Sequence, residues 1–431
     1  MHDHDLTLDL PLERHTLDNG LRVVLHSDRA LPLICVNLWY HVGSKHERPG
    51  MTGFAHLFEH LLFEGSAHVG PNEHFRHVQR AGGNANGSTW YDRTNYYETL
   101  PSNQLDLGLW LESDRLGFFL PAISQHKLDM QREVVINERR QRVDNQPYGR
   151  AIEVLYETLL PEAHPYRWPV IGYVEDIERA TLDQVRTFFQ THYVPNNAVL
   201  TVAGDLDGAG GAARVLDRIA HFFGEIPPGA PPPPPPVPFV QLDAARRVEL
   251  PDRVQLPRVY VGATMPAYGD DAWYAGDLLS TALTSGKTSP LYVDLVYERQ
   301  LAQDVVCYVL PLEEQSTFTM IATCRPGVEA AALESALHAH LDRAAASPPA
   351  DADLERSQNQ NLMMHFRALQ NLDHRADALS RATTFFDDPH RVATEAQRLQ
   401  RLGGDDVTAF AAAYLRPEQR ATVVVVPQEA A

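Results

Sequence analysis

Two histidines and a glutamate lie close together in GFAHLFEHLLFEG, residues 53–65. On a helix, His56 and His60 are one turn apart on the same face, so both imidazoles can reach one site. Neutral imidazole is a good zinc ligand, and a catalytic zinc site combines three protein ligands with a water molecule. Glu59 lies beside the two histidines but is badly placed to share the metal. That position suits a general base for the water, so H-x-x-E-H predicts a catalytic metal centre.

The residues around this string favour metal binding over chance. Two histidines at this spacing arise by chance in long chains, and such a pair usually belongs to a surface or a core. Here the string is embedded in Phe and Leu residues, where an unpaired glutamate would be costly. Its order is also the reverse of the metal-binding motif H-E-x-x-H.

A third metal ligand must come from elsewhere, and spacing leaves several candidates. Glu64 lies one turn after the second histidine, but next to the glycine where the helix is expected to end. Three nearby histidines have polar neighbours that suit a surface: His68, His74 and His77. A later segment, MQREVVINERRQ, offers Glu133 and Glu138, which face different directions because they are five residues apart. The choice stays open at this point.

Helices and strands must position these residues. Helical periodicity marks both the H-x-x-E-H segment and KLDMQREVVINERRQRV. The segments LRVVLHSD and LICVNLWYHVG are predicted to be two paired strands, and the aromatic, Thr-rich STWYDRTNYYETL a further strand. In the second half, RVYVGATMPA and TFTMIATCRP are predicted strands. Three helices are also predicted there: WYAGDLLSTALTS, YVDLVYERQL and VEAAALESALHAHLDRAAA.

A proline-rich stretch, PPGAPPPPPPVP, divides the chain near its middle and favours a semi-rigid polyproline II spacer. The two halves end alike, in FQTHYVPNNAVLTVAGD and FAAAYLRPEQRATVVVVP, which indicates an internal duplication. We therefore predict an α+β fold of two similar domains, each an antiparallel-rich sheet packed by helices. The predicted parts are a metal-binding domain at 1–226, a linker at 227–239 and a domain without a metal site at 240–431.

Composition excludes several functions. The 431 residues include 37 Lys plus Arg against 56 Asp plus Glu, a net charge of −19. A general nucleic-acid binder needs a basic face, so this charge argues against one. Cys35, Cys307 and Cys324 lie in apolar runs and are predicted to be buried thiols. The first twenty residues lack signal-peptide features, which predicts a cytoplasmic protein, or a periplasmic one if an export signal was removed.

The sequence resembles the pitrilysin family of zinc metallopeptidases, or inverzincins. The similarity is greatest to its short-chain branch, which includes mitochondrial processing peptidase and bacterial relatives. The resemblance covers most of the N-terminal half. Five segments carry it in order: LDNGLRVVL, HVGSKHERPGMTGFAHLFEHLLFEGS, GGNANGSTWYDRTNYYETLP, QREVVINERRQ and HPYRWPVIGYVEDI. The third resembles the strand that family members use as a substrate edge.

This resemblance implies a role for each residue of the motif. His56, His60 and Glu138 would bind one Zn²⁺, and Glu59 would be the general base. Glu138 is thereby selected over Glu133. The family fold also implies two similar α+β domains in one chain.

The sequence departs from the family pattern in two places. Many relatives carry a second glutamate two helical turns before the third ligand, whereas this chain has Gln131, which can still hydrogen-bond a ligand or the water. Active members also use an Arg and a Tyr from a C-terminal domain to hold substrate and stabilise the oxyanion. The corresponding positions here are Val296 and Gln303. Arg299 is near, but no Tyr follows it at the family's spacing.

The sequence thus predicts the zinc-bearing subunit of a heterodimeric endopeptidase whose related partner carries the Arg/Tyr pair. Short or unfolded peptides would add as a strand to the edge around residues 83–97, with Asn84 and Asn86 contacting their backbone. Neither nucleic acid nor a membrane span is expected. A non-catalytic assembly subunit and a self-sufficient homodimeric peptidase are the alternatives.

Overall fold

The computed structural model describes residues 8–235 and 237–428. These residues pack into two compact units that are not contiguous in sequence. The first unit comprises the described residues of Met1–Glu138, Pro169–Pro235 and Phe366–Glu395. The second comprises those of Arg139–Trp168, Pro236–His365 and Ala396–Ala431.

Each unit is built on one β-sheet. The strands of the first are β1 (Leu12–Thr16), β2 (Arg22–Ser27), β3 (Leu33–Tyr40), β4 (Asn84–Thr89), β5 (Thr94–Pro101) and β6 (Ala198–Gly204). The strands of the second are β7 (Arg246–Asp252), β8 (Arg258–Met265), β9 (Ala302–Val309), β10 (Ser316–Cys324) and β11 (Ala421–Pro427).

The helices, in chain order, are α1 (Phe54–Leu61), α2 (Glu73–Arg80), α3 (Leu105–Phe118), α4 (Gln125–Arg139), α5 (Ala151–Leu159), α6 (Val174–Arg179), α7 (Leu182–His192), α8 (Ala212–Phe223), α9 (Asp271–Thr284), α10 (Ala330–Ala346), α11 (Asp351–Gln370), α12 (Leu372–Phe386), α13 (Arg391–Arg401) and α14 (Gly404–Tyr414). None of the helices that the structure describes is long and apolar enough to cross a membrane.

The two sheets repeat one topology. The first has the strand order β1-β2-β6-β3-β5-β4, and the second has β7-β11-β8-β10-β9. Without β1, the two orders correspond strand for strand. Among the described residues, the only parallel pairs are the corresponding pairs β2–β6 and β7–β11. The predicted fold class, two similar α+β domains with antiparallel-rich sheets, is confirmed.

Each unit completes its sheet with a helix from the other half of the chain. In the first unit, α12 packs on β6 and β3; in the second, α5 packs on β11 and β8. The Trp39 indole donates a hydrogen bond to Asp377 of α12 over 2.8 Å, and Thr201 and Ser380 pair their hydroxyls at 2.8 Å. The predicted domains are contiguous in sequence and do not include this exchange of α5 and α12 between the two halves. The exchange depends on contacts between residues distant in sequence.

The first sheet is covered on both faces because its strands carry apolar side chains on both sides. From β3, Val36, Leu38 and Tyr40 enter the large core shared with α1 and α3. Cys35 and Trp39 face the other way, into clusters that include residues of α12. Cys35, Cys307 and Cys324 are free and buried, as predicted.

Two local predictions are corrected by the structure. The strands β2 and β3 do not pair with each other, because β6 lies between them. The segment STWYDRTNYYETL is not one strand: it contains the end of β4, a turn and most of β5. The helix predicted at YVDLVYERQL is present, as a π-helix at Tyr292–Glu298.

Candidate metal centre

The helix that carries the motif, α1, begins at a constrained glycine. Gly53 has φ of 84°, and a Cβ there would meet the Ile171 carbonyl oxygen at 2.7 Å. The buried Glu47 carboxylate accepts hydrogen bonds from the backbone N–H of Gly53 (2.8 Å) and of Ala55 (2.7 Å). These amides have no partner within the helix, and a negative group at a helix N-terminus is favourable. Glu47 therefore fixes the start of the motif helix.

One face of α1 is committed to the core. Phe54, Leu57, Phe58 and Leu61 are buried, and the Phe58 ring stacks on Phe188 with centroids 5.3 Å apart. With this apolar face held, the polar residues of H-x-x-E-H lie on the remaining face of the helix. The two histidine rings are 4.9 Å apart between centroids.

Three candidate ligands converge between α1 and α4. His60 Nε2 lies 3.1 Å from Glu138 Oε2, and His56 Nε2 lies 3.7 Å from the same oxygen. The side chains of His60, Glu138 and His56 are 23%, 16% and 12% exposed, respectively. All three are therefore largely buried but accessible to solvent. Glu133, the other candidate on α4, is exposed and lies outside this group.

The donor set fits a catalytic zinc ion. A tetrahedral zinc with bonds of about 2.0–2.1 Å holds neighbouring ligand atoms about 3.3 Å apart. The distances of 3.1 and 3.7 Å bracket this value, and one ligand atom from each of the three residues lies within 4.8 Å of the others. Two imidazoles and one carboxylate also form a donor set used by catalytic zinc, with a fourth position open to water.

Glu59 is held beside these ligands by β4. The Thr89 hydroxyl donates a hydrogen bond of 2.7 Å to Glu59 Oε2. Burial raises the pKa of Glu59 above its usual value, although the Thr89 hydrogen bond and the charges of His60 and Arg93 oppose this rise. A carboxylate with a raised pKa is a better proton acceptor.

Gln131 does not contact the candidate ligands through a hydrogen bond that the structure describes. It is buried on α4, and its Nε2 donates to Glu64 Oε1 over 2.8 Å. Glu64, one of the candidate third ligands, is thus tied to Gln131 rather than grouped with the two histidines.

The nearby histidines have other partners. His68 is paired through Nδ1 with buried Asp114 at 2.5 Å. His74 lies in a second buried group with Glu98 and Glu112, but Arg115 Nη2 lies 2.8 Å from His74 Nδ1. A guanidinium in this position disfavours a cation. Burial and the neighbouring Glu112 carboxylate raise the pKa of Glu98 well above its usual range.

Asn84 and Asn86 lie on β4, an edge strand that pairs only with β5 among the described residues. Both are exposed. Gly87 faces Phe63 and Tyr96 on the α1 side of the sheet, so the alternating residues Asn84 and Asn86 point to the opposite side. The structure therefore groups His56, Glu59, His60 and Glu138 and places the two asparagines on the far face of the neighbouring strand.

The second unit shows where an Arg/Tyr pair is missing. Val296 is buried in the π-helix, and Gln303 is exposed on the edge strand β9. Tyr297 is 76% exposed, and Arg299 Nη1 lies 3.5 Å from Asp294 Oδ2.

Sequence reasoning missed Thr89, Glu47 and Arg93. Thr89 and Glu47 act through hydrogen bonds that the spacing of residues in the sequence does not predict. Arg93 donates from Nη1 to the Ser88 carbonyl (2.8 Å) and to Asn95 Oδ1 (2.9 Å), which fixes the end of β4. Its position in the turn between two strands would have pointed to such a role once STWYDRTNYYETL was divided correctly.

Comparison with known proteins agrees with this fold. The family model described as insulinase (peptidase family M16) matches residues 22–165, and the one described as the peptidase M16 inactive domain matches residues 179–361. The chain belongs to the M16, or pitrilysin, family of zinc metallopeptidases.

Individual relatives extend this assignment over nearly the whole chain. The chain is 29% identical to the zinc protease PqqE of Helicobacter pylori, over 96% of this chain and 93% of that protein. It is 28% identical to an uncharacterized zinc protease of Streptomyces coelicolor, over 73% and 68% respectively. The crystal structure of a protease from Helicobacter pylori is similar with a TM-score of 0.89 and 28% identity, covering 97% of this chain and 100% of that one.

Proposed function

We propose that this chain is the zinc-bearing subunit of an endopeptidase that cleaves short or unfolded peptides. The observation that carries the proposal is the convergence of two imidazoles and one carboxylate beside a carboxylate whose pKa is raised by burial. His56, His60 and Glu138 would hold one Zn²⁺. When bound, the zinc would lower the pKa of a water molecule and polarise the scissile carbonyl.

Glu59 would handle the protons of the reaction. It would accept a proton as water attacks the carbonyl and deliver it to the leaving amine. Thr89 would orient the Glu59 carboxylate through its 2.7 Å hydrogen bond, so that one oxygen stays directed at the attacking water. The partial burial of the site would strengthen these interactions, because fewer water molecules compete for the same groups.

The edge of β4 would bind the substrate backbone. Its outer hydrogen-bonding groups have no neighbouring strand among the described residues, and an extended peptide can add there as a further strand. Asn84 and Asn86 would contact the added chain from the exposed face. Backbone pairing fixes register with little demand on sequence, which suits short or unfolded substrates.

A related partner subunit would supply the Arg/Tyr pair and close a chamber around the peptide. The buried Val296 side chain cannot reach a substrate, and Gln303 carries no charge. Without donors at these positions, part of the oxyanion stabilisation must come from a second chain.

Glu59→Gln tests the core of this proposal. The variant should bind zinc normally and lose at least about a thousandfold of kcat, because the base is replaced by an isosteric amide. Zinc content by mass spectrometry and cleavage of an unstructured peptide panel, with the partner present, would be measured together. Glu133→Gln, on the exposed face of α4, is the matched control and should keep full activity. Retained turnover in Glu59→Gln would sink the assignment.

Two alternatives make different predictions. An assembly subunit would bind no zinc and cleave nothing with any partner, and the replaced Arg/Tyr positions favour this reading. A homodimeric peptidase would cleave peptides alone, and it would need substitute donors from the second half of the chain. Zinc content distinguishes the assembly subunit from both peptidases. Chelator-sensitive turnover by the purified chain alone distinguishes the homodimeric peptidase from the proposed one.

A further inference from the structure

A cavity of about 300 Å³ opens at one end of the first sheet, and the proposed reaction does not use it. It lies where β2 ends and where β3, β4 and α12 begin. Residues of the loop after β2 and of β3, β4 and α12 line it, among them Asp28, Leu33, Asn84, Asp373 and Arg375. All belong to the first unit.

The lining combines an apolar wall with an excess of negative charge. Leu31 and Leu33 contribute the apolar part, and Leu31 is 62% exposed, so its side chain is accessible from solvent. Arg375 Nη2 lies 2.7 Å from Asp28 Oδ2. Two carboxylates therefore face one guanidinium, and Asp373 is left as the uncompensated charge.

Two groups at or beside this cavity, Asp28 and His26, have pKa values lowered by their surroundings. The backbone N–H of Ala30 donates to Asp28 Oδ1 over 2.9 Å and, with Arg375 nearby, lowers the pKa of the Asp28 carboxyl below its usual value. His26 Nε2 lies 3.3 Å from Arg375 Nη1, and burial lowers the pKa of His26. The histidine is therefore neutral and does not cancel the excess negative charge.

The cavity continues the proposed substrate edge. Asn84, the first residue of β4, lines it, and Thr89 at the other end of β4 holds Glu59. Asn84 and Thr89 are five residue steps apart, which is about 17 Å at about 3.4 Å per step. A peptide pairing antiparallel with β4 would run from Thr89 towards Asn84. Its residues about five positions after the scissile bond would arrive at the cavity.

We propose that this cavity is a substrate subsite that takes a lysine or arginine side chain on the C-terminal side of the scissile bond. The aliphatic stem would lie on Leu31 and Leu33, and the cationic group would pair with Asp373. The placement of the peptide on β4 rests on the proposed function. Charge complementarity and continuity with the free edge select this occupant over an apolar side chain.

Direct binding tests the subsite without requiring cleavage. Fluorescent peptides of about twelve uncharged polar residues would be titrated into zinc-loaded full-length Glu59→Gln protein. Each peptide carries one Lys, one Glu or neither, placed in its N-terminal or C-terminal part. The peptide with Lys in its C-terminal part should bind about three- to tenfold more tightly than the uncharged peptide, a gain typical of one partly exposed ion pair plus an apolar stem. Lys in the N-terminal part should give no comparable gain.

Variants locate the effect. Asp373→Asn should abolish the gain from Lys, whereas Asp183→Asn, which removes an equal charge from a side chain that is 94% exposed on α7, should preserve it. Asp373→Lys should make Glu the preferred residue. An equal affinity for all peptides, or a Lys preference unaffected by Asp373→Asn, would overturn the subsite. Tighter binding of a free C-terminal carboxylate than of its amide would also overturn it, in favour of an anion site at Arg375 and the start of α12.

The failure of the subsite and the failure of the proposed function give different results. Asp373-dependent Lys binding by a chain that cleaves nothing with any partner would keep the subsite and remove the peptidase. Turnover of uncharged and Lys-containing peptides at equal kcat/KM would keep the peptidase and remove the subsite.

Discussion

Four side chains at the candidate metal centre carry the proposed chemistry, and three kinds of constraint place them. The histidines are placed by helix periodicity, Glu138 by the packing of α4, and Glu59 by a hydrogen bond from a strand. The first of these could be predicted from the spacing of two histidines. Selecting Glu138 from the spacing alone was not possible, because Glu64 and Glu133 satisfied it equally well. Thr89 gave no signal at all, since its role depends on a contact between β4 and α1.

Glu138→Gln should remove zinc, and Glu133→Gln should not. The amide introduced by Glu138→Gln would leave only two protein ligands for the zinc. Removing a residue that hydrogen-bonds a metal ligand already weakens metal affinity about 10–100-fold, so removing a ligand itself should weaken zinc affinity by more than about 100-fold. Zinc retained after dialysis against a weak chelator is the readout. Equal zinc content in the two variants would show that Glu138 is not a ligand.

At the scale of elements, the structure places strands and helices by pairings that local patterns do not reveal. The segments of β2 and β3 are both predicted to be strands, but the insertion of β6 between them joins residues far apart in sequence. Similarly, STWYDRTNYYETL has strand-like residues throughout, and only the turn at residues 90–93 divides it. Local patterns therefore predicted several elements of the fold and failed where tertiary pairing decides.

The helix α7 should make the first unit sensitive to acid. Its last residue, His192, is buried with its ring centroid 4.6 Å from that of Phe188, and burial lowers its pKa to about 4. Since an unfolded histidine has a pKa of about 6.5, the unfolded state binds more protons between pH 6.5 and 4. The stability present above pH 6.5 is thus lost as pH falls through this window, by up to about 3 kcal/mol.

His192→Phe should reduce this pH dependence, because phenylalanine fills the site and does not titrate. His192 Nδ1 has no hydrogen-bond partner among the described residues, so the variant loses none there. Urea unfolding of both proteins at pH 7 and pH 4.5, without zinc, gives the free energies. A difference between the two proteins that does not change with pH would contradict the prediction.

At the scale of the whole molecule, one topology is used twice, and the candidate metal centre lies in the first copy. The ends of the two halves, each a Pro turn followed by a Val-rich strand, predicted this duplication from the sequence. In the structure these segments become the corresponding strands β6 and β11. The exchange of α5 and α12 could not be predicted, because the periodicity of a helix does not indicate which sheet the helix packs on.

The chain truncated after residue 235 should expose Cys35. In the full chain this thiol is fully buried in a cluster with Ala203 of β6 and Ala376 of α12, and the truncation removes α12. Since Cys307 and Cys324 are removed as well, Cys35 is the fragment's only thiol. Its labelling by a thiol reagent should be at least about a hundredfold faster than in the full chain, as expected when protection by a stable fold is lost. Protection equal to that of the full chain would show that the sheet closes without α12.

The placement of α12 also has a consequence for the order of events during translation. The first sheet is complete once residue 204 has left the ribosome, but the helix that covers its second face ends at residue 386. At about 5–20 residues per second, the ribosome needs roughly 10–40 s to make the intervening stretch. During that time the nascent chain presents an uncovered apolar sheet face bearing Val24, Trp39 and Val199. This protein should therefore depend on co-translational chaperones more than a chain whose first domain is encoded without interruption.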